Sequence, residues 1–244
     1  MHIFRSYDVF DTLVARLHKN PSSVFQLVEE KYPFPGFSTL RQQAESLTKG
    51  DLKAIYAKLQ ELANLSSEEA NKLRLFEIET DLQTIFPIMV NMNKVQDGDV
   101  LVSDTYYTKE EVAAILKKAG LTKKIELFVS YDGKFTGSIW PTILKKYKPL
   151  SHLGDNPHSD IDVPKRYGIQ TELFSAGNYS LLEEEFFFEK QKALADLMRF
   201  LRLLNPYQEN TTHFLVWQEQ AEFNVPILVL VSLFLDKYCC EHSL

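Results

Sequence analysis

The 244-residue chain has only two cysteines, Cys239 and Cys240, which are adjacent and close to its end. Neighbouring residues cannot staple distant segments, and no Cys or His spacing typical of zinc accompanies them. A disulfide framework is excluded, and a cytoplasmic or otherwise reducing compartment is expected. Positive charge is in deficit too, with 27 Lys+Arg against 33 Asp+Glu and a formal net charge of -6. That is the wrong sign for a track along nucleic-acid phosphates, so nucleic acid is not an expected partner. The main apolar stretch, Val225 to Leu235, contains Pro226 and falls short of the ~20 residues a membrane span needs. It reads as core or interface, with no membrane span. The start of the chain lacks the basic residues, apolar run and small-residue cleavage site of a secretory signal, so export would need another route. Repeats and low-complexity segments are missing as well.

What is present is 45% apolar residues, enough for a packed core. Ile3 to Asp8 reads as a short strand that ends on a carboxylate and runs into a polar Asp11-Thr12 turn. Open α/β sheets bind ligands at the carboxyl ends of their strands, which makes Asp8 a candidate nucleophile. The plainer alternative is that Asp8 and Asp11 are turn or helix-cap residues. From Thr12 to about Met92 the apolar spacing is helical, with candidate caps at Ser22-Ser23, Asp51 and Ser66-Ser67. From Gln96 the pattern alternates between strand and helix. Strand Val100 to Ser103 ends on a hydroxyl, and a helix follows from Lys109 to Ala119. Strand Ile125 to Ser130 leads past Lys134 to a helix from about Ser138 to Tyr147. A strand at His152 and Leu153 runs into Gly154-Asp155, with Asp160 five residues on in a helix reaching Tyr167, and a last strand spans Ile169 to Phe174. Beyond Gly177, one long helix from Leu181 to Leu204 is expected, with Leu194, Leu197, Leu201 and Leu204 along one face, and a second helical region from Thr212 to about Cys240.

The expected architecture is therefore α/β. Residues 1–14 and 93–176 form a Rossmann-like parallel sheet, residues 15–92 a helical insertion over the strand ends, and residues 177–244 a helical extension. That extension is either a subdomain or the place where a partner domain or protein docks.

A strand-end Asp, a hydroxyl, a Lys and paired acids, in that order over residues 1 to 175, resemble the haloacid dehalogenase (HAD) superfamily. The resemblance implies that the insertion is a first-site cap. It implies Mg²⁺ held by Asp8, Asp155 and the main-chain carbonyl of Phe10, with Asp160 and Asn156 supporting it. Asp8 would attack a phosphate monoester, from a phosphoprotein or a small metabolite, to give an aspartyl-phosphate. Ser103 would bind a phosphoryl oxygen and Lys134 would neutralise the shared charge. Asp104 and Thr105 read as caps of the following helix. The sequence departs from the family two residues after the nucleophile, where Phe10 replaces a second Asp that serves as general acid. That group is worth roughly 10²–10⁴ in rate. Asp11, or Glu77 or Glu79 from the insertion, is the candidate substitute. A weakened acid implies a preference for aryl phosphates such as phosphotyrosine, whose phenol leaves readily as an anion. Two alternatives are an interaction module with a vestigial pocket and a dehalogenase-type hydrolase. The latter also carries an aromatic residue here but does not use Mg²⁺.

Overall fold

The computed structural model describes residues 3–48 and 50–242. Strand β1 (Phe4–Tyr7) alternates Phe4 and Ser6 with Arg5 and Tyr7 across its two faces, and Tyr7 enters the main core. The next residues are not helical throughout: β2 (Val14–Arg16) pairs antiparallel with β3 (Ile85–Pro87). Three-residue strands are too short for a period-2 pattern to show in sequence. This ribbon forms the base of the insertion, whose helices are α1 (Ser23–Lys31), α2 (Phe37–Leu47), α3 (Leu52–Ala63) and α4 (Ser67–Thr84). Asp51 caps α3 by accepting from the Ala54 amide (2.9 Å), and Ser66 and Glu69 form a reciprocal capping box on α4. Ser22 makes no such cap, because its hydroxyl donates back to Asn20 (2.9 Å).

After the short α5 (Met89–Met92) the chain alternates through β4 (Val100–Asp104), α6 (Lys109–Lys118) and β5 (Glu126–Ser130). It continues through α7 (Gly133–Thr136), α8 (Trp140–Leu144), β6 (Leu150–Gly154), a single π turn at Pro157–Asp162, α9 (Val163–Lys165) and β7 (Gln170–Leu173). The five strands form one parallel sheet in the order β5-β4-β1-β6-β7. This is an α/β parallel sheet, compatible with a Rossmann-like fold, and it sets the carboxyl ends of β1, β4 and β6 side by side. The helix expected from Ser138 to Tyr147 is shorter, α8 covering only Trp140–Leu144, and Gly137 with its φ of 86° separates it from α7. Lys134 consequently lies inside α7 rather than ahead of a helix. On one side of the sheet Trp140, fully buried, packs with Val100, Val102 and Val163, each large apolar side chain contributing about 1.5–3 kcal/mol by its burial.

The helix expected over 181–204 is two helices, α10 (Leu181–Phe188) and α11 (Lys192–Leu203), broken where Lys190 adopts a φ of 62°. The buried residues of α11 are Leu194, Ala195, Asp196, Met198, Arg199, Arg202 and Leu203, a face rotated from the Leu194, Leu197, Leu201 and Leu204 stripe. The two arginines turn inward because their fan of donors meets main-chain carbonyls: Arg202 donates to Ala176 and Asn178, and Arg199 to Gly177 and Arg16. Phe200 adds an edge-on contact with Phe86 (4.8 Å between centroids). The final helices, α12 (Thr212–Glu219) and α13 (Val225–His242), join through a π turn at Gln220–Asn224, next to Pro226, which lacks an N–H to continue the ladder. The stretch Val225 to Leu235 is not core in this chain. Ile227, Leu228, Leu233 and Phe234 are all more than half exposed. Thr212–His242 runs 31 residues with a window of mean hydropathy 1.6, long and apolar enough to cross a membrane by length and composition alone.

Candidate active site

The carboxyl ends of β1 and β6 bring together what the sequence separates by about 150 positions. Asp8 follows β1, Asp155 follows β6, and Asp160 sits in the π turn; one oxygen from each lies within 4.8 Å of the others. The Lys134 ammonium bonds directly to Asp8, stands 2.6 Å from Asp160, and donates to the Val102 carbonyl at 3.4 Å. Asp8, Lys134 and Asp160 are all buried. They open onto a cavity of about 580 Å³ whose wall includes Phe10, Asp11, Asp104, Asp155 and, from the insertion, Arg16, Pro21 and Glu45. The insertion thus contributes to the cavity at the strand ends.

The charges in this cluster do not balance. Burial pushes the Asp8 carboxyl well above the usual range, Lys134 opposes that, and Asp160 and Asp155 reinforce it. Burial also opposes the charge on Lys134, but Asp8 and Asp160 hold the ammonium above its ordinary value. Asp160 is pushed up by burial and pulled further down by Lys134 and His152, so it stays ionised. His152, lowered by burial, is neutral; its Nε2 donates to Asp160 (3.0 Å), leaving Nδ1 facing the Ser6 hydroxyl (2.8 Å). Asp155 is raised to about 6 by burial and by Asp11 and Asp160. Its carboxylate has no hydrogen bond or ion pair among the described residues.

That imbalance is the test of whether a divalent cation fits. Asp155 is a partner-free carboxylate facing the cavity, Asp8 has an oxygen beyond the one Lys134 takes, and the Phe10 carbonyl accepts no hydrogen bond among the described residues. These are hard oxygen donors of the type Mg²⁺ takes. Asp160 differs: its oxygens are occupied by Lys134, His152 and the Asn156 amide (3.0 Å). It is placed to orient the cluster rather than to ligate. Gly154 is required beside it, since a Cβ there would collide with the Asp160 side chain. The Asn156 side-chain oxygen caps the π turn by accepting from His158 and Ser159 (2.9 and 3.1 Å), and the residue lines the cavity.

Other expected residues are placed differently from their anticipated roles. Ser103 is buried at the end of β4 with a hydroxyl that has no partner, and it does not line the cavity. Asp11 does line it, but both its oxygens are held, by Arg199 (2.7 Å) and Lys19 (3.2 Å). Its φ of 55° marks the left-handed turn there, and Gly177 lies close enough that a Cβ on it would collide with the Asp11 carbonyl. Glu77 is buried inside the insertion with Arg41 and Tyr56, and Glu79 is exposed, so neither reaches the cavity. The insertion's carboxylate there is Glu45, which sequence reasoning missed; its one visible cue is the i,i+4 spacing from Arg41. Arg16, held by Asp81 through two bonds (2.7 and 2.8 Å) and lying over the Phe10 ring (4.6 Å), was also missed. So was Arg199, for which the sequence carries no signal. No family model matches the chain, and no curated protein matches it. Geometry alone therefore carries the functional argument.

Proposed function

We propose that the chain is a HAD-superfamily hydrolase, a Mg²⁺-dependent phosphatase that acts through an aspartyl-phosphate on Asp8. The observation that supports this most is the uncompensated acidic cluster of Asp8, Asp155 and Asp160 around one buried lysine at the carboxyl ends of parallel strands. Mg²⁺, held by Asp8, Asp155 and the Phe10 carbonyl, would offset the negative charge that these carboxylates share with an incoming phosphoryl group.

Asp8 supplies the attacking oxygen, and the Lys134 ammonium bonded to it opposes the rise that burial imposes on its carboxyl. The same ammonium neutralises charge as it moves onto the transferring group. Asp160 holds Lys134 from the far side, and His152 holds Asp160. Hydrolysis of the aspartyl-phosphate by water then returns Asp8. The Ser103 hydroxyl, buried without a partner among the described residues, supports a role in donating to a phosphoryl oxygen.

Phe10 occupies the place where a proton donor would stand, and Asp11 is tied to two cations. The leaving group therefore departs with little help, which favours phenolate over alkoxide. The test is kcat/KM for phosphotyrosine and phosphoserine in matched peptides at fixed Mg²⁺. At least about a tenfold preference for phosphotyrosine is expected, whereas equal rates would mean that another group delivers the proton. A non-catalytic interaction module is the second reading, favoured by the exposed apolar side chains of α13. Absence of turnover across a panel of phosphate esters with Mg²⁺ would select it.

A further inference from the structure

Lys134 touches the nucleophile, yet the four-residue helix that carries it is too short to hold itself. Closing a first helical turn fixes several residues for one hydrogen bond, so such a segment needs acceptors from outside. Asp104, the last residue of β4, supplies them. Its Oδ1 accepts from the Lys134 amide (2.9 Å) and the Ser130 hydroxyl (2.6 Å), and its Oδ2 accepts from the Phe135 amide (2.9 Å) and again from Lys134 (3.0 Å). Ser130 passes the hold on, because its oxygen accepts from the Gly133 amide (3.2 Å). The approach is so close that a Cβ at Gly133 would strike the Ser130 and Ile139 side chains. Asp104 does not cap the helix that follows it in sequence; Thr108 does that, through a capping box with Glu111.

We infer that Asp104 is a positioning residue for Lys134: by capping α7 across the sheet, it sets where the ammonium meets Asp8 and Asp160. The inference rests on the phosphatase reading above. Ångström-scale displacement of a charged group costs about 10²-fold in rate. Because Lys134 acts on the nucleophile, that loss belongs in kcat, with KM within about threefold of wild type.

The experiment compares wild type, Asp104→Ala, Lys134→Ala and the double variant, using a phenyl phosphate with Mg²⁺. Asp104→Ala is expected to lose about 10²-fold in kcat alone and to add nothing in the Lys134→Ala background. Asp104→Asn keeps one acceptor oxygen but turns an amide toward an N–H, and should fall between. Amide hydrogen exchange gives a readout independent of turnover: Lys134 and Phe135 should be protected in wild type and exchange faster in Asp104→Ala. If Asp104→Ala does not fold, Ser130→Ala replaces it, since that change removes only the hydroxyl and should show a smaller loss, again absent without Lys134. Wild-type kcat in Asp104→Ala, or losses that multiply in the double variant, would overturn the inference while leaving the phosphatase reading intact. No turnover by wild type would strike that reading instead.

Discussion

Two of the buried charge clusters in this molecule are built differently. Inside the insertion, Arg41 and Glu77 are both fully buried and form a bidentate pair (2.8 and 3.0 Å), closed by the Tyr56 hydroxyl on Glu77 (2.7 Å) and by Glu45 on the remaining guanidinium nitrogen (2.8 Å). The Arg41 guanidinium also lies over the Phe25 ring (4.4 Å). Every strong donor and acceptor there has a partner within the chain. At the strand ends, one ammonium serves Asp8 and Asp160 while Asp155 faces the cavity with no partner. A closed pair of this type holds a fold together. A cluster left short of positive charge is raised in free energy until a cation or a substrate completes it, and this contrast separates structure from chemistry here.

Breaking the closed cluster should give the largest effect on stability and none on chemistry. Glu77→Ala leaves Arg41 buried without its carboxylate, so a loss of about 3–5 kcal/mol is expected in urea unfolding. The kcat of the fraction still folded should match wild type, and a parallel fall in kcat would mean that the two clusters are coupled. Asp155→Ala should do the reverse. Removing a partner-free carboxylate costs the fold little, while activity at ordinary Mg²⁺ should drop by at least about 10²-fold. Asp160→Ala should mainly raise the Mg²⁺ needed, by about 10–100-fold, since its oxygens are already committed to Lys134, His152 and a main-chain amide. Retained activity in EDTA would contradict both.

A smaller effect sharpens the comparison through pH. Asp155 titrates near 6 in the fold against about 4 in the unfolded chain, so the folded protein binds more protons between those values. Its contribution to stability is therefore complete below about pH 4 and lost as pH rises through about 6. Asp8, also raised, acts in the same direction. Without metal, unfolding experiments should show stability falling from pH 5 to pH 7, by on the order of 1 kcal/mol for Asp155 once partial solvent screening is allowed for. Asp155→Asn should flatten the trend and saturating Mg²⁺ should reverse it.

The sheet was legible because each of its strands is a short apolar run closed by a turn, and Asp8, Asp155 and Lys134 were legible because strand ends converge in a parallel sheet. Less visible were contacts whose partners are main-chain atoms. Arg199 and Arg202 face inward against a leucine stripe because carbonyls at residues 16 and 176–178 wait for them, and carbonyls have no signature in sequence. Asp104 was misread as a local cap for the same reason, since its amide partners lie some 30 residues ahead. Asp11 shows the limit from the other side. Its position next to the nucleophile suggested an acid, and only the fold reveals that α11, nearly 190 residues away, has taken its oxygen.

The measurement that bears most directly on the central claim is turnover by Asp8→Asn, assayed on a phenyl phosphate with saturating Mg²⁺ and with deamidation excluded by mass. The variant keeps the shape at the end of β1 but removes the attacking charge. It should fold, as judged by its unfolding midpoint, and lose at least about 10³-fold in kcat with no phosphoryl adduct trapped on residue 8. Wild-type turnover by that protein would contradict the assignment of Asp8, and with it the aspartyl-phosphate mechanism.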